Sequence, residues 1–110
     1  MEDGYRFMKE FLELENRPTA IFTFSDFLAI GALKAIKNAG LSVPRDVALV
    51  GYDDIEFSSL LEIPLITVHQ RRYRIGEEGA KILINRIEQK KYEGFRQIVL
   101  KPELVTRGSA

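Results

Sequence analysis

Three short, nearly continuous apolar runs constrain this chain most: Ala20-Ile21-Phe22-Thr23-Phe24, Val47-Ala48-Leu49-Val50-Gly51-Tyr52 and Leu65-Ile66-Thr67-Val68. Runs this short without polar alternation predict strands covered on both faces, as in a parallel sheet. Parallel neighbours need crossover connections, and the stretches between the runs read as helices. Over residues 3–15, Phe7, Met8, Phe11, Leu12 and Leu14 recur at three- and four-residue spacing, an amphipathic helix halted near Pro18. Ser25-Asp26 predicts an N-cap and a first-turn carboxylate for a helix over 26–39, with Gly40 at the left-handed C′ position and Pro44 soon after. A turn or short helix fills the stretch to Leu61. The segment Arg74–Lys91 carries Ile75, Gly79, Ala80, Leu83, Ile84 and Ile87 along one stripe of a further helix, ended by Gly94. Gln97–Leu100 and Glu103–Thr106 read as strand pieces separated by Pro102, which cannot donate a ladder hydrogen bond. The order α-β-α-β-(α)-β-α-β predicts an α/β class: a mostly parallel sheet flanked by helices.

Composition narrows the function. With 110 residues, 45% of them hydrophobic, the chain has the size and core of one globular domain. Its 16 basic and 16 acidic side chains cancel, which argues against a nucleic-acid-binding surface. The absence of cysteine excludes disulfides, thiolate metal sites and a cysteine nucleophile. No apolar run is long enough to cross a membrane, and Met1-Glu2-Asp3-Gly4 does not open like a signal peptide.

In open α/β sheets, ligands bind beyond the carboxyl ends of the strands. That rule selects Ser25-Asp26, Asp53-Asp54 and His69-Gln70-Arg71-Arg72, each a polar group directly after an apolar strand. Fixed carboxylates and amides suit a neutral, hydroxyl-rich ligand. The same residues have plainer uses. Ser25-Asp26 serves equally as a helix cap, and Asp53-Asp54 as a turn, adjacent side chains of an extended segment facing opposite ways. His69 stands alone, without the cluster a metal site requires. Arg71-Arg72-Tyr73-Arg74 reads as a solvated or ion-paired face. Gly-x-Ser-x-Gly, Gly-x-Gly-x-x-Gly and Walker patterns are all absent, so no catalytic residue, cofactor or metal is expected. On the helix over 26–39, Phe27, Ile30 and Gly31 share the face of Lys34, Lys37 and Asn38, an apolar spot on a polar side that suggests a partner surface.

Several stretches resemble one family. Arg17-Pro-Thr-Ala-Ile-Phe-Thr-Phe-Ser-Asp-Phe-Leu-Ala-Ile-Gly-Ala-Leu-Lys-Ala, Gly40-Leu-Ser-Val-Pro-Arg-Asp-Val-Ala-Leu-Val-Gly-Tyr-Asp-Asp-Ile, Pro64-Leu-Ile-Thr-Val-His-Gln and Leu100-Lys-Pro-Glu-Leu-Val-Thr-Arg-Gly-Ser resemble the LacI/GalR family of bacterial transcription regulators. The resemblance covers nearly the whole chain, in the family's order and spacing. It implies a cytoplasmic regulator with a helix-turn-helix headpiece and a two-lobed effector domain of the periplasmic-binding-protein type. This chain would be the last part of that domain, a partial lobe. DNA would be bound only through a headpiece outside it, and no membrane would be involved. Ser25, Asp53, Gln70 and Arg72 match positions that meet the effector, a sugar or sugar derivative in many members. Ser25 replaces the more usual Asn, which shortens the reach, and Arg72 stands where some members place an aromatic, suiting an acidic or phosphorylated ligand. Phe27, Ile30 and Gly31, with Leu60 and Leu61 in the segment 56–64, match a homodimer interface. The helix over 74–91 resembles a first-lobe element, so its stripe is expected to pack on the remaining sheet, swap into a partner or drive self-association.

The alternative is a piece of a periplasmic-type sugar-binding protein. Asp53-Asp54, where those relatives tend to have Asp-Gly, and the Val105-Thr-Arg-Gly-Ser ending favour the regulator. An enzyme is the least supported reading.

Overall fold

The computed structural model describes residues 1–89 and 94–110. In chain order the elements are α1 (Glu2–Leu12), β1 (Ala20–Phe22), α2 (Asp26–Asn38), β2 (Ala48–Asp53), a 3-10 turn (Glu56–Ser59), β3 (Ile66–His69), α3 (Arg72–Gln89) and β4 (Glu103–Val105). The sheet order is β1-β2-β3-β4, parallel except that β4 runs antiparallel to β3. This is the mostly parallel α/β architecture that the alternating pattern predicts. The chain divides into two compact units, residues 1–69 with 103–110, and residues 70–102.

In the first unit, α2 supplies most of the helical side of the core. Ala29, Ala32, Ala35 and Ile36 bury against Val47, Leu49 and Leu65. Helix α1 crosses α2 where two glycines meet backbone. A Cβ on Gly4 would strike the carbonyl of Leu28, and one on Gly31 would strike the carbonyl of Met1. Gly31 is therefore not an open patch for a partner; the chain's own α1 fills it. The expectation placed it on a free surface because the α2 sequence alone does not reveal which helix crosses it.

Two strand expectations need correction. Residues 20–24 read as a strand buried on both faces, yet β1 lies at the sheet edge, with Phe22 exposed and Phe24 87% exposed. An apolar run records the wish to be covered, not whether a neighbour is present. Residues 97–100 form no strand. Ile98, Val99 and Leu100 line a cavity with Ile75, Gly79 and Ile82 of α3 inside the second unit instead. Pro102 blocks their continuation into the ladder that begins at Glu103. Along α3 the expected apolar stripe is open: Ile75, Leu83, Ile84 and Ile87 are 49 to 65% exposed. Lys90 and Lys91, the expected end of this helix, lie outside the described residues.

The first unit is stitched together by polar groups inside its core. Asp26, wholly buried in the first turn of α2, accepts hydrogen bonds from Ser58 Oγ (2.6 Å), Thr67 Oγ1 (2.6 Å) and the Ile55 N–H (2.9 Å). Gly51 of β2 must lack a side chain because its Cβ would strike Asp26 Oδ1. One residue back along the same ladder, Ser109 Oγ accepts from the Ile66 N–H at 2.7 Å and donates to the Leu49 carbonyl, bridging β2 and β3. Removing the Asp26 carboxyl would strand three donors without water. Asp26→Ala is expected to cost about 3 kcal/mol in urea unfolding, and a loss below about 1 kcal/mol would contradict this account.

Candidate functional site

Because β1, β2 and β3 are parallel, their carboxyl ends share one edge of the sheet. The residues there come from segments far apart in sequence: Ser25 after β1, Asp53 and Asp54 at the end of β2, and His69 at the end of β3, paired in register with Asp53. Gln70 is the first residue of the second unit, and Arg72 opens α3 within it.

Ser25 is the α2 N-cap, as its sequence position predicts. Its Oγ accepts from the Leu28 N–H at a long 3.4 Å, a weak cap bond, and the hydroxyl hydrogen has no acceptor among the described residues. The effector and capping readings of Ser25 are thus compatible. Asp53 ends β2 at φ 109°, a left-handed conformation uncommon for a residue with a Cβ.

Asp54 is held by two side chains from distant segments. Arg107 Nη2 donates to its Oδ1 at 2.7 Å, and His69 Nδ1 meets its Oδ2 at 3.0 Å. Arg107 Nη1 also donates to the Leu65 carbonyl at 2.9 Å, so one guanidinium ties the tail after β4 to both β3 and the loop after β2. Burial pushes the Asp54 carboxyl up, but the hydrogen bonds and charges of Arg107 and His69 outweigh it and hold it below its ordinary 3.8. The Asp54 N–H donates to Thr67 Oγ1 at 3.3 Å, and Thr67 donates to Asp26. One connected network therefore runs from Arg107 through Asp54 and Thr67 to Asp26.

The sequence places Ser25, Asp53 and Asp54 at the carboxyl ends of strands, where the structure has them, but gives no sign of Arg107, Thr67 or the burial of Asp26. Arg107 is 53 residues from Asp54, and Thr67 is 41 from Asp26, so no local spacing announces either pair. The basic run after β3 behaves as a wet face: Tyr73 is exposed, and Arg74 pairs with Glu77 and Glu78 one turn on.

The periplasmic binding protein-like domain family matches residues 1–110. The chain belongs to that family, as a fragment of an effector-binding domain of the LacI/GalR type. It is 43% identical to the HTH-type transcriptional repressor PurR of Haemophilus influenzae over 111 residues, covering 98% of this chain and 33% of the repressor. A LacI family regulator from Lactobacillus casei solved with bound sucrose superposes with TM-score 0.79 at 32% identity, over 99% of this chain and 40% of that one. A LacI regulator from Bacillus cereus gives TM-score 0.93 at 31% identity, over 99% and 38%. The chain thus spans about a third of the length of the curated repressors it matches. These relatives are transcriptional regulators, not enzymes, and no helix among the described residues is long and apolar enough to cross a membrane.

The depressed Asp54 pKa sets a pH signature. Its contribution to stability is fully present above the unfolded carboxyl value and is lost as pH falls through the lower, folded one. Arg107→Met should cost about 2 kcal/mol at neutral pH, because it leaves a mostly buried carboxylate short of a partner. It should also flatten the loss of stability between about pH 5 and about pH 2.5 relative to the parent. Parallel urea titrations across that range test both, and an unchanged slope would count against the pairing.

Proposed function

We propose that this chain is the effector-sensing and dimerising part of a LacI-type transcription regulator, and that its effector is a sugar or sugar derivative. The observation that carries this reading is the grouping of Ser25 and Asp53 at the carboxyl edge of parallel strands. A carboxylate accepts from two hydroxyls at once, and a serine hydroxyl donates to an oxygen, so the pair suits a polyol face. The sucrose bound to the Lactobacillus casei regulator supports the same ligand class here. Gln70 and Arg72 keep the effector-contacting roles that the resemblance gives them, Arg72 adding affinity for an acidic or phosphorylated sugar. In the intact regulator, ligand binding shifts the population of lobe arrangements, and a headpiece outside this chain converts that shift into altered DNA affinity. The protein acts in the cytoplasm and catalyses no reaction.

A single lobe wall binds weakly, so the test needs a method that reads millimolar affinity. In amide chemical-shift titrations with sucrose, ribose, glucose, a sugar phosphate and a nucleobase, a saccharide should shift Ser25 and Asp53, and Asp53→Ala should abolish the response. Shifts with the nucleobase alone, or an undiminished response in Asp53→Ala, would sink the sugar reading. Equal response to a sugar and its phosphate would remove the role given to Arg72.

Homodimerisation through α2 and the segment 56–64 is the second half of the proposal. Phe27 is 47% and Leu60 71% exposed, while Ile30 and Leu61 are half-buried. Burying the first two removes apolar surface from water without rearranging the core. Light scattering across a concentration series should give a dimer mass that Phe27→Asp with Leu60→Asp halves. A parent that stays monomeric, or a double variant that stays dimeric, refutes this interface.

A further inference from the structure

Two consecutive residues with side chains, Asp53 at φ 109° and Asp54 at φ 50°, leave β2 in left-handed conformations. Each such residue is strained and persists only where its surroundings over-determine it. Here the surroundings can be named. Upstream, Asp53 is fixed by its sheet pairing with His69. Downstream, the Asp54 carboxyl is gripped by Arg107 and His69, the Asp54 N–H by Thr67, and the Ile55 N–H by Asp26. Asp53 therefore sits at a kink whose direction is decided by what holds Asp54. Arg107 is suited to this because its planar fork serves two acceptors, Asp54 Oδ1 and the Leu65 carbonyl, in one rigid plane. A lysine could reach one of them at a time.

We infer that Arg107 is a positioning residue of the effector site: acting through Asp54, with His69 beside it, it holds Asp53 in its left-handed conformation and so orients the Asp53 carboxylate toward the ligand. The inference rests on the effector reading of Asp53. It assigns the tail after β4 a part in ligand recognition through Asp54.

The test separates positioning from mere stabilisation. At positive φ the amide and α protons of a residue lie close together, so Asp53 and Asp54 should give strong intraresidue cross-peaks in the parent. Arg107→Met should weaken the Asp53 cross-peak while the core remains folded, and Arg107→Lys should fall between the two. Saccharide affinity should drop roughly tenfold in Arg107→Met, equivalent to about 1.4 kcal/mol, and much less when the same change is made on an Asp53→Asn background, which weakens the ligand contact but keeps an acceptor at that position. Additive losses, or an unaltered Asp53 cross-peak in folded Arg107→Met, would overturn the inference. Should Arg107→Met not fold, an Arg107→Lys variant with parental cross-peak and affinity would overturn it instead. A parent that binds no saccharide counts against the effector reading, whereas a parental cross-peak in folded Arg107→Met defeats the positioning role alone.

Discussion

The carboxyl group of Asp26 draws four separated segments of the chain onto one point. It sits in the first turn of α2, and its two oxygens take hydrogen bonds from the loop after β2, from the 3-10 turn and from β3. Its burial is complete, so each bond is made without competition from water, and each would be costly to leave unmade. The geometry is exclusive as well. Gly51 keeps its side chain out so that Asp26 can approach β2, and Thr67 turns its hydroxyl hydrogen to Asp26 while its oxygen accepts from Asp54. The polar edge of the sheet inherits its shape from this point.

From Asp26 the order propagates outward in two steps. Thr67 passes it to the backbone of Asp54, and the Asp54 carboxyl passes it to Arg107 and His69. Asp53 lies at the end of that chain, in a conformation that its own residue type does not favour. A residue whose backbone is fixed this way is preorganised, which lowers the entropy cost of any contact its side chain makes. The two units share this logic unequally. The first has an apolar core with a polar network inside it, whereas the second exposes most of the apolar stripe of α3.

Much of the candidate site was legible in the residues. Ser25 stands one residue before a helical pattern, and Asp53 directly follows a strand pattern. The rule that ligands meet the carboxyl ends of parallel strands turns those positions into candidates without further knowledge. Gly31 was misjudged for the opposite reason. A glycine on a polar helix face is ambiguous until the crossing partner is known, and here that partner is the backbone of α1 at Met1. The edge position of β1 and the irregular course of residues 97–100 were equally invisible, since both depend on which neighbour a segment finds.

The amino-acid sequence by itself determined the kinds of element and their order, because helix and strand periodicities and their caps are local properties read within a turn or two. It determined the α/β class for the same reason, and its motif series carried the family. Tertiary structure alone decided which polar groups meet. Asp26 with Thr67, Asp54 with Arg107, and Ser109 between Leu49 and Ile66 are pairings across 41 to 60 residues. Hydrogen bonds of that reach depend on the positions of whole strands, and no spacing along the chain encodes them.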